Sequence, residues 1–597
     1  MARWATVSKL FQHINGQTRR CHSSVLTSGR KYDAIIVGGG HNGLVAAFYL
    51  AKAGKSVCVL ERRHILGGAA VTEEIIPGFK FSRASYVLGL LRPKVYDDLE
   101  LKRRGLKVYP RDPSSYTPLH ERNWQSGFGK SLILGPHEDQ NYQQIAQFSK
   151  KDAEMMPQLE SLLGRFAEAL DHLLDCPPPD IKKFFSTGLA GKAKQLSTVG
   201  PLVKAASILG KDFPQFYELM TAPTTKILDR WLESEPLKAT LATDSVIGAM
   251  MSPNTPGSGY VLLHHVMAQM SGVRGAWGYP EGGMGAVTQF MAQAASETGA
   301  HLFTNQPVKI ILLGDKNEAV GVETEDGSRL YAKTVLSNAT ADTTFLKLLP
   351  AGSLPSDFEA SIRNIDYTSP VCKINVAVKS LPDFKANPNN RKDTVMPHHR
   401  CTIHLNCEKT QLLEEAFRQA SAGLIPDNPM IEMTLPSSCD PTLAPPGCHV
   451  ALFFTQYVPY TRADGRSWNE ETKTEYGNKI FNVVEEYAPG FKESIIGYEV
   501  LPPPELERVF GLTGGNIFHG SMSLDQLFIS RPSATQPSPF TPIDGLLLCG
   551  SGAHPGGGVM GAPGRLAALS ALSISSSQRR PSHHSRTQHL RRHPLQA

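Results

Sequence analysis

KYDAIIVGGGHNGLVAAFYLAKAGKSVCVLERRHILGG, residues 31–68, decides how the rest of the chain is read. Tyr32 to Val37 is a short apolar run with β-branched residues, the pattern of a strand buried on both faces of a parallel sheet. It runs into Gly38-Gly39-Gly40-His41-Asn42-Gly43, which satisfies GxGxxG. LVAAFYLAKAG then reads as a helix of small residues stopped by Gly54, and SVCVLE as a second strand closing on Glu61. Each residue type has a physical reason. Gly38 permits the tight turn, Gly40 lets a pyrophosphate approach the backbone, and Gly43 lets the helix pack closely on the sheet. The N–H groups at the helix start attract the diphosphate. Glu61, 18 residues after Gly43, is placed to accept hydrogen bonds from ribose hydroxyls, and an acid there disfavours a 2′-phosphate and hence NADP. A Gly-rich turn in an unrelated α/β domain is the bland alternative; the flanking strands and the terminal acid argue against it.

Around this stretch, 597 residues with 41% hydrophobic and 19% charged residues fit a folded chain of more than one domain. The net charge of +6 is uneven: residues 1–31 and 565–597 hold twelve cations and no acid, which leaves the body at −6. A mildly acidic body is a poor nucleic-acid binder, because phosphate contact needs clustered cations on a folded surface. Nine scattered cysteines, none in CxxC spacing, argue against a zinc site or a redox dithiol and for reduced thiols. No stretch reaches the roughly 20 apolar residues of a membrane span, so the body is expected to be soluble, at most peripherally associated with the mitochondrial inner membrane. Residues 1–30 are acid-free, with Trp4, Val7, Phe11 and Ile14 on one helical stripe and Arg3 and Lys9 off it. That is the amphipathic basic pattern of a mitochondrial presequence, which predicts the matrix as destination; a basic tail without structure is the alternative.

After Glu61 the chain continues Arg62-Arg63-His64-Ile65-Leu66-Gly67-Gly68. Here it resembles FAD-dependent enzymes of the amine oxidase, phytoene desaturase and carotenoid isomerase superfamily, whose fingerprint continues as Glu, a basic residue, a spacer and Gly-Gly. Gly278-Tyr-Pro-Glu-Gly-Gly-Met-Gly285 is similar to that family's YPxGGM segment, and Leu302 to Ile310 to the strand pair in which a valine main chain, here Val308, faces the adenine. Gly545-Leu-Leu-Leu-Cys-Gly550 leading to His554-Pro-Gly-Gly-Gly-Val-Met-Gly561 resembles the C-terminal flavin motif. The resemblance implies FAD as cofactor, with Gly38, Gly40, Gly43, Glu61, Arg62, Gly67, Gly68, Val308, Gly550, Gly557 and Gly558 binding it. It covers residues 31 to 565. After Arg565 the ordered closing helix is expected to give way to a Ser-, His- and Arg-rich tail, weakening the packing on the flavin side. Disulfide reductase chemistry is excluded: residues 67–110 hold no cysteine, and no second nucleotide fingerprint follows.

The fold class implied is α/β, a discontinuous Rossmann-like FAD-binding domain with an interleaved α+β substrate domain. The first is assigned to residues 31–110, 275–345 and 495–575, the second to 111–274 and 346–494, and residues 576–597 to a disordered basic tail. His554 is the candidate catalytic group, from its place in the flavin-facing loop; an imidazole that caps the loop backbone is the equal alternative. Of His264-His265, one is expected to face the core. Tyr279 is read as packing near the flavin or in the core. His398, His399 and His404 lack acids or thiols at ligand spacing, so no metal is expected. The leading reading is an FAD-dependent desaturase, dehydrogenase or isomerase of a hydrophobic small molecule, with a hydride passed to flavin N5 and oxygen or a quinone as acceptor. A low-turnover FAD-binding regulator or scaffold in mitochondria, and an amine oxidase, are the alternatives.

Overall fold

The computed structural model describes residues 26–179, 189–270, 272–391 and 394–577. The presequence assignment, apart from residues 26–30, and the tail beyond 577 lie outside the described residues. Two sheets organise the rest. In the first, five strands run parallel in the order His301–Phe303, Val57–Leu60, Lys31–Val37, Arg329–Ser337 and Leu546–Leu548, and Val308–Leu313 and Ala319–Thr324 extend it antiparallel. Ile35, Ile36, Val59 and Val335 are fully buried, as a sheet covered on both faces requires. One face carries the helices His41–Lys52, Met284–Glu297 and Ala562–Ser577. The other is filled by Phe345, Leu348, Phe358 and Ile362.

The glycine expectations are met in detail at two positions. Gly38 adopts φ +95°, and a Cβ on Gly43 would lie 2.3 Å from the Gly38 carbonyl oxygen, so helix and strand touch backbone to backbone there. The second sheet runs Ile495–Leu501, Cys372–Val378, His449–Gln456, Met430–Thr434, Thr402–Leu405, Ser115–Pro118 and Ser131–Leu134. Its side chains alternate. Cys372, Ile374, Val376 and Phe453 pack under the helix Glu470–Tyr487, while Lys373, Asn375 and Phe454 belong to the opposite face. Residues 138–179 and 189–266 supply a helical layer that includes Lys150–Leu174 and Ser258–Val266.

Three boundaries differ from the sequence reading. Ile495–Leu501 pairs with Cys372–Val378 from Leu501 opposite Lys373 to Ile495 opposite Val378, so it belongs to the second sheet; a short apolar run does not reveal its partner strand. Residues 345–362 pack on the nucleotide sheet, placing the first domain's edge beyond 345. The C-terminal helix does not give way after Arg565: it continues to Ser577, Leu566 is buried, and Ala567, Ala568 and Ala571 share a core with the helix His41–Lys52. Its small residues permit that close seat.

Candidate functional site

A cavity of about 350 Å³ joins the Gly-rich turn to the second sheet. At the turn end it is lined by Gly38, Gly40, Glu61, Arg62, Gly68 and Val308. Gly40 caps the helix His41–Lys52 with no side-chain hydrogen bond, and the first turn holds no acid, so the positive helix start is open to an anion. The Glu61 carboxylate, 5% exposed, accepts from Gly39 N through Oε2 and from Arg63 N through Oε1, each at 2.8 Å. Each oxygen keeps a further lone pair for a hydroxyl. Arg62 Nη2 donates to the carbonyls of Arg508 and Val509, which ties the second strand's exit to the helix Pro503–Phe510.

Of the remaining glycines expected at the cofactor, Gly43, Gly67, Gly550 and Gly557 stand behind the lining. Gly67 N donates to Gly39 O at 2.9 Å. A Cβ on Gly550 would meet Asn338 O at 2.7 Å, and one on Gly557 the Phe518 ring at 2.4 Å. Gly558 reaches the cavity itself. The space beside Gly40 differs from expectation: Asn338 Nδ2 would lie 2.9 Å from a Cβ there, and it donates to Gly38 O. An amide from the returning strand braces the turn.

The other end is built from residues that motif reading passed over. Lys373 is fully buried, lines the cavity, and donates to Asn375 Oδ1 at 2.6 Å. Burial pulls its ammonium down to about 7, against the attraction of Glu499. Its Nζ lies 5.7 Å from the centre of the Tyr86 ring. Tyr86 donates to Glu432 Oε2 at 2.5 Å, and Glu432 Oε1 meets His404 Nε2 at 3.2 Å. Burial pushes Glu432 up, but the hydrogen bonds and charge of His404 and the Tyr86 phenol outweigh it, so the carboxyl stays below its ordinary value. Burial, followed by that carboxylate, drives the Tyr86 phenol far up. Phe454, Leu506, Leu512 and Ile517 complete an apolar wall. A lysine inside the apolar strand CKINVAV was the one sequence signal for this end.

His554 points elsewhere. Its Nε2 meets Leu173 O at 2.9 Å, its ring packs on Phe528, and it is absent from the cavity lining. Burial lowers it to about 4. The imidazole thus fastens its loop to the end of the helix Lys150–Leu174, rather than capping its own loop or facing the ring site. His264 is buried against Gly557 O, Tyr279 bonds Cys401 O, and His398 and His399 pack with Tyr116 in the core. Among the described residues, no three His, Cys, Asp or Glu side chains gather as a metal site.

The lining fits a flavin dinucleotide. His41 Nε2 and His519 Nδ1 are buried without a partner among the described residues, and both residues line the cavity. Burial holds these imidazoles neutral, at about 4 and about 3. Together with the uncapped helix start they present unpaired polar atoms to the cavity, which the polar groups of a bound dinucleotide can satisfy.

Comparison with known proteins agrees. Residues 36–99 match the NAD(P)-binding Rossmann-like domain family, and residues 241–564 the flavin containing amine oxidoreductase family. The pyridine nucleotide-disulfide oxidoreductase domain-containing protein 2 of Rattus norvegicus is 54% identical over 90% of this chain and 93% of its own. The phytoene desaturase (lycopene-forming) of Pseudescherichia vulneris is 24% identical over 91% of this chain and 99% of its own. The solved structure of wild-type putrescine oxidase bound to putrescine shares the fold, with a TM-score of 0.56 at 15% identity over 92% of this chain and 99% of that one. The rat protein's name invokes disulfide chemistry, yet every described cysteine here is free and none lines the cavity. The chain belongs to the flavin containing amine oxidoreductase superfamily, in the family of pyridine nucleotide-disulfide oxidoreductase domain-containing protein 2, and is an FAD-dependent oxidoreductase.

Proposed function

We propose that this chain dehydrogenates a neutral, hydrophobic small molecule and passes the electrons to oxygen or a quinone. The observation that carries this is the chemistry of the cavity's inner end. Its wall is apolar, through Val371, Phe454, Leu506, Leu512 and Ile517, and its embedded ionisable group is a lysine. The nearby carboxylate Glu432 is engaged by Tyr86 and His404 and does not line the cavity, so among the described residues this end presents no carboxylate to an ammonium substrate. A substrate of the kind named by phytoene desaturase fits this wall better than the diamine bound to putrescine oxidase.

FAD, when bound, supplies a ring that accepts a hydride. The protein's part is positioning and proton handling. The N–H groups at the start of the helix His41–Lys52 would hold the diphosphate, Glu61 would orient the ribose, and the Val308 main chain would hold the adenine. Lys373, with its ammonium near neutrality in acid strength, takes the proton at Nζ that the substrate releases as its hydride leaves. The apolar wall excludes water from both. Asn375 and the Tyr86 ring keep Nζ in place. We further propose import into the mitochondrial matrix, driven by residues 1–30, with no more than peripheral contact with the inner membrane; no helix among the described residues is long and apolar enough to cross a membrane.

The test is anaerobic mixing of the purified flavoprotein with matched panels of neutral apolar compounds and of amines. Loss of the flavin's visible band is expected with members of the first panel and not with NADPH. Bleaching by amines alone would overturn the reading. A fusion of residues 1–30 to a reporter is expected to enter mitochondria.

A further inference from the structure

Arg531 is wholly buried, and among the described residues it has no carboxylate partner. Its five N–H donors go to five main-chain carbonyls: Nε to Ser551, Nη1 to Ser521 and Gln526, and Nη2 to Phe518 and Gly520, at 2.5 to 3.2 Å. A guanidinium in the interior is costly unless charge or dipoles compensate it. Here only dipoles do, so a net positive charge remains in low dielectric. Three of these carbonyls place it. Phe518 and Ser551 line the cavity, and Gly520 adjoins the lining residue His519. A Cβ on Gly556, two residues before the lining Gly558, would lie 3.6 Å from Nε. The charge therefore stands one layer behind the cavity wall. The buried imidazoles nearest it, those of His264, His519 and His554, are all held neutral, with burial the largest cause and Arg531 adding to it in each.

Which part of the dinucleotide faces this wall follows from the fingerprint. Glu61 and Val308 would hold the adenosine at one end, and the start of the helix His41–Lys52 the diphosphate, which leaves Lys373 and the Phe518, His519 and Gly558 wall to receive the redox ring.

We infer that Arg531 is the fixed positive charge that stabilises the reduced, anionic form of the bound redox ring and raises its midpoint potential. The inference rests on the FAD-dependent dehydrogenation proposed above. In that step the substrate loses a hydride and a proton and is oxidised. FAD, when bound, would supply the acceptor for the hydride and both electrons and would then carry a negative charge; Lys373 Nζ takes the proton. Oxygen or a quinone then takes the two electrons together with two protons, the hydrogen that left as hydride and the proton held at Lys373 Nζ. The negative charge that appears on the ring between the two halves is the charge Arg531 faces, and a fixed cation needs no reorganisation to meet it.

The probe is sulfite, which adds to an oxidised flavin and leaves it negatively charged, read by loss of the visible band in the holoprotein. Wild type is expected to bind sulfite reversibly. R531K keeps the charge and is expected to bind sulfite within threefold of wild type while melting earlier, having lost two of five hydrogen bonds. R531M is expected to bind sulfite about tenfold more weakly or worse, a change equivalent to a midpoint about 30 mV lower for a two-electron couple. Because R531M removes five buried hydrogen bonds, S521D is the second variant. It sets a carboxylate beside the guanidinium, at a partly exposed position, without dismantling the carbonyl cage, and is expected to move sulfite affinity and midpoint in the same direction as R531M. Wild type that carries FAD but forms no sulfite adduct, or S521D that carries FAD with wild-type sulfite affinity and midpoint, overturns the inference and leaves the proposed function standing. Wild type that binds no FAD overturns the proposed function instead.

Discussion

Replacing Glu61 tests both the site and the reason for its shape. The carboxylate is almost wholly buried and accepts two backbone N–H bonds of 2.8 Å, from Gly39 in the turn and from Arg63 after the second strand. Hydrogen bonds to a buried charge each contribute about 1.5–3 kcal/mol, and an N–H left unpaired costs about 1–3 kcal/mol. Glu61→Gln keeps one acceptor and turns an amide N–H₂ toward the other donor, so the protein without FAD should lose about 2–3 kcal/mol. Glu61→Ala frees both donors, and water entering from the cavity offsets part of the loss, giving about 3–5 kcal/mol. The ribose hydroxyl loses its acceptor as well, so FAD affinity should fall at least about tenfold. Urea unfolding of apoprotein and of holoprotein, with an FAD titration of each, separates the two effects. A Glu61→Gln apoprotein that unfolds at the wild-type urea concentration would show that the carboxylate does not hold the turn, and the geometry described here would be wrong.

Four other outcomes follow. Gly43→Ala should shift the helix off the strand, because its Cβ would meet the Gly38 carbonyl at 2.3 Å; an overpacking cost of about 1–3 kcal/mol and loss of bound FAD are expected by calorimetry and flavin content, whereas Gly164→Ala, with open space around it, should retain FAD. Lys373→Met should keep FAD, and should slow substrate-driven bleaching by about 100-fold or more if Nζ takes the proton; an unchanged bleaching rate refutes that role. Acidification should destabilise the protein: His41, His264, His519 and His554 are held at about 4, 3, 3 and 4, against 6.5 when unfolded. In the window from about 6.5 to about 4 only the unfolded chain takes protons, so stability falls as pH falls, by up to about 1.4 kcal/mol per pH unit for each imidazole, and a flat urea midpoint across that window contradicts the burial. Ending the chain after Ser577 should leave flavin content unchanged. Ending it after Arg565 should remove burial worth about 4–5 kcal/mol from Leu566, Ala567, Ala568 and Ala571 and release FAD.

The nucleotide end was legible because its chemistry is carried by consecutive residues. A turn needing φ +95° at Gly38 and a backbone contact at Gly43 leave few amino acids to choose from, and the acid ends the very next strand. The substrate end was legible only as composition. Tyr86, Lys373, Glu432 and His404 come from four separated segments, and what makes each of them unusual is a neighbour that sequence spacing does not reveal. Lys373 illustrates the limit: between Cys372 and Ile374 it reads as an exposed position of an amphipathic strand, yet both faces of that sheet are covered. His554 illustrates the reverse error. Ser551 and Gly558, on either side of it along the chain, line the cavity, but its side chain leaves in another direction and bonds to Leu173. Ile495–Leu501 was misplaced for the same reason, since strand pairing is a long-range choice.

The C-terminal segment unites these levels. Leu546–Leu548 joins the nucleotide sheet beside Arg329–Ser337, and Gly550 packs on Asn338, whose amide braces Gly38. Gly557 then packs on Phe518, Gly558 reaches the cavity, and Gly564 seats the last helix on Asn42, where a Cβ would lie 2.0 Å from the carbonyl oxygen. Asn42 in turn donates to Ser551 Oγ. The segment therefore touches the first fingerprint from behind at two points while its middle forms the wall that Arg531 supports. Binding a dinucleotide draws on contacts from both ends of the chain at once, so the affinity for FAD should report on the closure of the whole fold rather than on the Gly-rich turn alone.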